Sequence, residues 1–534
     1  MLRHSLDSAG GLPSVVSALS AGQKNMPTLA APLCPIAQGK CYLETAEELL
    51  LADINLCLHE NIDERVWSNA FYRQIEVLRR KLYRYQKSRD SASKSKACQE
   101  QLASLLDQAS GFFIWLSDHV RRQIEIPMDR LGTQRLRGRT NGDNKLDLFA
   151  NCMQRCYIYL GDLSRYRIAL LDGKNLVDLN SNEQLWHETQ QWYTQASWCK
   201  AYGQLAIVAN SRQYWLDVVY WNCLSLSAMH PSVNARDNLY SFYSRFAQGK
   251  FNLAVNYSGA DMALVNAFIQ SHIAIVQGDA SGASAAEGED ASSRTLACME
   301  QWLDSCLEGA GQTTSDEATT KQQIAFKILA ICLSTVWYLQ HDLTKNKNKI
   351  NSIRQAQMRI CQFTVGFQAK LLDWMVRQVS RASSHAERTA MQWLMSPLTA
   401  SVVIWCDTCT SHFELVSQLI ALSKPAMARH STPRKTIVAL VKWLQAVEGA
   451  ADKNIKSINS ALPEDWMLWG FRPLRTKQRR LEFNLNHRKT PAVMASMRVA
   501  RIQKAAQLFA KCDTFPEIEW SAHAGLQLKD EASK

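Results

Sequence analysis

Residues 156–167 read Cys156-Tyr157-Ile158-Tyr159-Leu160-Gly161-Asp162-Leu163-Ser164-Arg165-Tyr166-Arg167 and lie within a run of helical texture from Leu146 to Leu170. Helical pattern extends outward on both sides. Upstream, Trp67, Phe71, Ile75, Leu78, Leu82 and Tyr85 recur at steps of three and four, the stripe of an amphipathic helix. Arg73, Arg80, Arg84 and Lys87 recur at similar steps on another face of that helix. Leu102, Leu105, Leu106, Phe112, Phe113 and Leu116 mark a further helix within Gln101–His119. Downstream, apolar-periodic segments resume from Lys321 to Lys424 and at Lys435–Glu448, and no segment sustains an alternation of period two. The 22 glycines and 13 prolines among 534 residues are about half of average usage, so turns are scarce and elements long. The expected class is all-α, built from stacked helical hairpins.

Composition narrows the function. Hydrophobic residues make up 46% and charged residues 21%, the balance of a folded globular chain. Lys and Arg (61) exceed Asp and Glu (49), giving a formal net charge of +12. The N-terminus lacks an apolar signal region, and the apolar segments Ile328–Gln340 and Thr389–Cys406 are short or interrupted, so we expect buried helices and no membrane partner. Fifteen cysteines without repeated spacing suit reduced thiols in the cytosol or nucleus. Residues 1–42 are expected as a flexible leader, with polar loops near 278–295 and 308–320 expected to be disordered and 516–534 a tail. Arg121–Asn144 reads as a basic loop.

Beyond periodicity, Leu160–Tyr166 carries a specific motif, and a second segment runs from Trp192-Tyr193 through Gln204-Leu205-Ala206 to Tyr220-Trp221-Asn222 and Asn238-Leu239. With Trp67–Ile75 and Ala109–Phe112 in the same order, these stretches resemble the ever-shorter-telomeres/SMG family of nonsense-mediated mRNA decay adaptors. Leu462-Pro463-Glu464-Asp465-Trp466, Gly470-Phe471-Arg472-Pro473-Leu474 and the basic helix Met497–Ala510 resemble that family's second helical region. The resemblance implies a 14-3-3-like, tetratricopeptide-containing domain over 43–250 and a helical-hairpin region over 251–515. Tyr72, the form of residues 160–164 and the insert Ala169–Glu188 look more like the fifth SMG subfamily. Several members end in a PIN nuclease domain; 52 residues follow Glu482, too few for one, a trait more like the seventh subfamily.

What the resemblance implies about function is a non-enzymatic adaptor, cytoplasmic with passage to the nucleus. It would recognise the phosphorylated RNA helicase of the surveillance complex, pair with a related SMG protein, and recruit a phosphatase or decay factors. Arg165 and Tyr166 match the family's phosphate-binding positions, Arg79 falls where 14-3-3 proteins carry a second cation, and Arg73 adjoins a further one. Two positions depart from the pattern, Tyr72 in place of Lys and Gly203 in place of Asn. A charge-assisted bond contributes about 1.5–3 kcal/mol, so losing one weakens a peptide site roughly tenfold to a hundredfold. The competing reading of Arg165 is an ion pair with Asp162 inside the bundle. Two alternative functions stay open, a telomerase-associated nucleic-acid-binding protein and a scaffold without phosphate recognition.

Other constellations carry less. Cys406-Asp407-Thr408-Cys409 with His412 has half the ligands of a zinc site and no second pair, and Cys152 and Cys156 share a helix face as core residues do. There is no His-Glu-x-x-His, P-loop or Gly-x-Ser-x-Gly pattern, and no cofactor or metal is expected. Basic patches at Arg79–Arg89, Arg121–Arg139 and Arg472–Arg480 solvate a face or contact nucleic acid. Trp67, Trp115, Trp192, Trp337 and Trp443 sit in apolar stripes and are expected in the core.

Overall fold

A computed structural model describes residues 35–87, 92–123, 144–171, 179–196, 200–228, 231–252, 256–257, 259–277, 285–308, 315–345, 350–381, 491–510, 518–521 and 525–528, with scattered positions between 400 and 465. The chain divides into two compact units, Met1–Ala201 and Tyr202–Lys534.

In the first unit, α1 (Pro35–Ala52), α2 (Ile54–His59) and α3 (Ile62–Val66) lead into a π-helical turn, Trp67–Tyr72. The long helices α4 (Arg73–Lys87), α5 (Ala92–Arg122), α6 (Asn144–Leu171) and α7 (Leu179–Gln195) follow. The stripe read from the sequence is the buried one: Phe71, Ile75, Leu78 and Leu82 on one side meet Leu102, Leu106, Phe112 and Phe113 on the other. Helices α4 and α5 are antiparallel, since Cys98 reaches the Leu78 carbonyl while Phe112 lies 5.9 Å from Phe71. The same logic pairs α5 with α6, where Phe113 meets Tyr159 and Arg167 meets Asp107. Trp67 stacks on Tyr159 at 4.5 Å, which seats the π-helical turn on α6. Asp63, fully buried, receives two bonds from Arg155 at 2.6 and 3.0 Å, a charge pair that ties α3 to α6. Removing one partner of such a pair would strand a buried charge.

The second unit contains α8 (Lys200–Ser211), α9 (Trp215–Ser227), α10 (Ala235–Ala247), α11 (Gly259–Gln277), α12 (Ala285–Glu308), α13 (Ser315–Lys345), α14 (Ile350–Arg381) and α15 (Pro491–Ala510). Helices α11 and α12 form an antiparallel pair through Ser271–Ser292 and Asp261–Trp302. Helices α9 and α13 lie alongside through Asp217–Lys327 and Ser227–Ser334. Two stretches, Gly259–Gln277 and Gln323–Asp342, are long and apolar enough by composition to cross a membrane. Here they are joined by a buried polar bond, His272 to Thr335 at 2.8 Å.

Several expectations need correction. The chain's division into compact units falls after Ala201, with Tyr202 on α8 stacked on Trp221 of α9, whereas the expected domain limit lay at 250. The runs expected as disordered loops are helical from Ala285 and from Ser315: alanine and glutamate favour helix, and Thr295 bonds back to the Ala291 carbonyl within α12. The leader expected over 1–42 contains the start of α1 at Pro35; residues 1–34 lie outside the described residues. The tail holds a two-stranded antiparallel hairpin, β1 (Ile518–Ser521) and β2 (Gly525–Leu528), with Ile518 opposite Leu528. Ile518-Glu519-Trp520-Ser521 does alternate apolar and polar residues, a short period-two signal that the sequence reading passed over. Apart from that hairpin, every regular element described is helical.

Candidate phosphate-binding site

The motif on α6 is explained residue by residue. Leu160 and Leu163 are core. Gly161 is required by its neighbour: a Cβ there would lie 2.5–2.8 Å from three ring atoms of Tyr193 on α7. Because the ring rests on bare backbone, the buried Tyr193 hydroxyl donates to Asp162 Oδ1 at 2.6 Å. Arg165 Nη2 donates to the same oxygen at 2.9 Å. Ser164 is buried beside Thr189 of α7, with the two hydroxyl oxygens 2.9 Å apart. Asp162 therefore pairs with Arg165 within the bundle, as the competing reading of the sequence expected.

Tyr166 is where the cations meet. The Arg79 guanidinium lies 4.6 Å from its ring centroid and that of Arg165 lies 5.0 Å away. Arg79 reaches Tyr166 from α4, steadied by Glu76 three residues earlier at 2.5 Å. Burial and Asp162 push the Tyr166 phenol up to about 12 against the pull of Arg165 and Arg79, so it stays a neutral donor. Burial works against the charge of Arg165, but Tyr193 and Asp162 outweigh it and the guanidinium stays protonated. Its Nε is buried and has no hydrogen-bond partner among the described residues. The side chains of Arg165 and Arg79 remain 25% and 39% exposed, so both can be reached from solvent. Two guanidiniums around one phenol make a set of donors suited to a compact dianion.

The remaining predicted residues separate. Tyr72 is 41% exposed, packs its ring 5.9 Å from Trp67, and is near enough to Tyr166 to raise its phenol slightly. Arg73 begins α4, is exposed, and makes no side-chain bond among the described residues; the structure does not bring it to Tyr166. Gly203 lies in the second unit, where an added Cβ would meet only the Ser232 hydroxyl, at 3.8 Å. As functional partners both Tyr193 and Glu76 escaped the sequence reading: Tyr193 lies 31 residues from Asp162, whereas the i, i+3 spacing of Glu76 and Arg79 was a local signal that could have found the pair.

Among the described residues no three His, Cys, Asp or Glu side chains are placed to hold a metal. Of the half-site at 406–412, Asp407 is committed to Arg501, and Cys409 and His412 lie outside the described residues. Cys152 and Cys156 are buried with sulfurs 4.0 Å apart, packed as core thiols.

Comparison with known proteins identifies the family. Residues 61–171, which contain Arg79, Arg165 and Tyr166, match the family described as telomerase activating protein Est1. Residues 197–478, more than half of the chain, match the Est1 DNA/RNA binding domain. The chain belongs to the Est1 family. This Est1/SMG assignment sits close to the division into units: the first match ends at 171, within the first unit, and the second begins at 197, four residues before the boundary at Ala201. The solved structure of Est1 and Cdc13 superposes with a TM-score of 0.63 at 13% identity, covering 97% of this chain and 99% of that one, a likeness of fold. Similar sequences include telomerase-binding protein EST1A of Danio rerio, 28% identical over 37% of this chain, and nonsense-mediated mRNA decay factor SMG7 of Danio rerio, 24% identical over 42%. The matches span 12% and 18% of those relatives' own lengths.

Proposed function

We propose that this Est1-family chain is a non-enzymatic adaptor of nonsense-mediated mRNA decay that binds phosphoserine or phosphothreonine peptides through Arg79, Arg165 and Tyr166. The observation that carries this reading is the convergence of two guanidiniums, at 4.6 and 5.0 Å, on one buried phenol. A phosphate seated there would accept from both guanidiniums and from the Tyr166 hydroxyl. Tyr72 leaves the set one cation short, so binding is expected to be roughly tenfold to a hundredfold weaker than a three-cation pocket would give. The partners proposed are the phosphorylated surveillance helicase, a related SMG protein whose own pocket supplies bivalency, and a phosphatase or decay factors. A cytoplasmic site of action, with passage through the nucleus, belongs to the same proposal.

The test is calorimetric titration of a phosphoserine peptide from the helicase tail, its unphosphorylated twin, and both against Arg165→Glu. Binding by the phosphopeptide alone, lost in the variant, supports the pocket. Equal binding of both peptides, or of neither, refutes it and leaves a dimerising scaffold. A second reading, a telomerase-associated nucleic-acid-binding protein, is favoured by the match of residues 197–478 to a DNA/RNA binding domain. It predicts oligonucleotide binding with a steep dependence on salt.

A further inference from the structure

The Tyr166 site is neutral before any ligand arrives. Arg165 is paired with Asp162 at 2.9 Å and Arg79 with Glu76 at 2.5 Å, so the four formal charges sum to zero. The two carboxylates are not held alike. Asp162 accepts from the Tyr193 hydroxyl at 2.6 Å as well as from Arg165, and Tyr193 is fully buried, so a second helix fixes this carboxylate. Glu76 has Arg79 as its one partner among the described residues, and that pair lies within a single helix with both side chains partly exposed. Tyr72, Glu76 and Arg79 are four and three residues apart and line one face of the helix. The Glu76 carboxylate therefore stands on the same side as the guanidinium that lies 4.6 Å from the Tyr166 ring. Arg80, one turn beyond Glu76 and exposed, makes no ion pair among the described residues and is spaced to receive the carboxylate once Arg79 releases it.

We propose that Glu76 is an internal competitor for the phosphate: its carboxylate occupies an Arg79 donor in the empty site, and a phosphopeptide binds by displacing it. The proposal rests on the phosphopeptide reading and adds to it the residue that sets the affinity of the site. Binding exchanges one charge-assisted bond for another, as Arg79 leaves Glu76 and takes a phosphate oxygen. A lone carboxylate would make that exchange like for like, whereas a phosphate has further oxygens for Arg165 and the Tyr166 hydroxyl. Asp162, anchored by Tyr193, stays on Arg165 throughout. Opening an exposed pair costs a factor of about two to five in affinity, and repulsion between a nearby carboxylate and the arriving dianion adds to it. The contrary role for Glu76 is a strut that steadies Arg79 for the ligand. The two roles predict opposite signs, because removing a competitor tightens binding and removing a strut loosens it.

The experiment titrates the full chain calorimetrically with a phosphoserine peptide and with its unphosphorylated twin. The wild type is compared with Glu76→Gln, with Glu76→Ala, which removes every acceptor, and with Asp237→Asn. Asp237 is exposed on α10 and is not part of the site, so its substitution raises the net charge by the same amount for comparison. Matching circular dichroism and melting curves establish that the variants fold alike. Both Glu76 variants are expected to bind the phosphopeptide about threefold to tenfold more tightly than the wild type, with no binding of the unphosphorylated twin. Asp237→Asn should stay within about twofold of the wild type. Unchanged or weaker phosphopeptide binding by the Glu76 variants overturns the proposal and makes Glu76 a strut, while the phosphopeptide reading stands. An equal gain in Asp237→Asn also overturns it, since net charge alone would then account for the change. If the wild type and both Glu76 variants bind the two peptides alike, or bind neither, the phosphopeptide reading fails and the proposal falls with it.

Discussion

Gly161 and Gly111 both sit inside helices, and alanine should affect them with opposite signs. At Gly111 on α5 an added methyl meets nothing within 4 Å, so only the backbone term acts. Gly111→Ala is expected to stabilise by about 0.5–1 kcal/mol. At Gly161 the same methyl would overlap the Tyr193 ring, whose hydroxyl is anchored to Asp162. Overpacking of that kind costs about 1–3 kcal/mol and should outweigh the helix gain. Urea midpoints followed by circular dichroism decide the matter, and a stabilised Gly161→Ala would mean that Tyr193 can move aside. Position 161 was legible in the sequence only as part of a motif, because its reason to be glycine is a ring 32 residues downstream. Arg79 was legible for a local reason: seven residues after Tyr72 is two helical turns, and the face it shares is the one that meets Tyr166.

Between elements, the chain spends its buried polar groups as bolts. Arg501 on α15 is 1% exposed and bonds Asp465 at 2.6 and 3.0 Å and Asp407 closely, joining segments 36 and 94 residues away. Asp465 also accepts from the Leu462 amide. Arg501→Met would take the guanidinium away from two buried carboxylates and is expected to cost about 3–5 kcal/mol in a urea titration. In a second bolt, His272 of α11 lies between Tyr243 of α10 at 2.6 Å and Thr335 of α13 at 2.8 Å. Burial lowers its folded-state pKa to about 3. The unfolded chain binds the proton near pH 6.5 and the folded chain does not, so His272 favours folding above pH 6.5 and loses about 1.4 kcal/mol per unit as pH falls below it. The stability gap between wild type and His272→Gln should therefore narrow by about 2 kcal/mol between pH 7 and pH 5; a constant gap would mean that His272 titrates alike in both states. The helices themselves were legible, since a stripe such as Phe71–Leu82 repeats within one element. These bolts were not, because their partners are distant in sequence and nothing local marks an arginine or histidine as buried.

At the scale of the whole molecule the excess of cations matters more than any one pair. The formal charge of +12 attracts polyanions in general, so affinity alone cannot separate a phosphopeptide from a nucleic acid. Where the units divide was not legible, because α8 looks like a continuation of the helices before it until Tyr202 is seen to stack on Trp221. The two binding modes should be separable by salt. An oligonucleotide held through about four phosphates has a slope near 0.7 per phosphate, so raising NaCl from 50 to 200 mM should weaken it by about fiftyfold. A phosphopeptide held by Arg79 and Arg165 against the buried Tyr166 ring engages two partly desolvated cations, which salt screens less. Its affinity should fall by less than about tenfold over the same range. Titrating both ligands in parallel on the same protein measures the two slopes. Equal slopes would mean that phosphopeptide and oligonucleotide compete for one diffuse positive surface, and that the Tyr166 cluster has no binding role of its own.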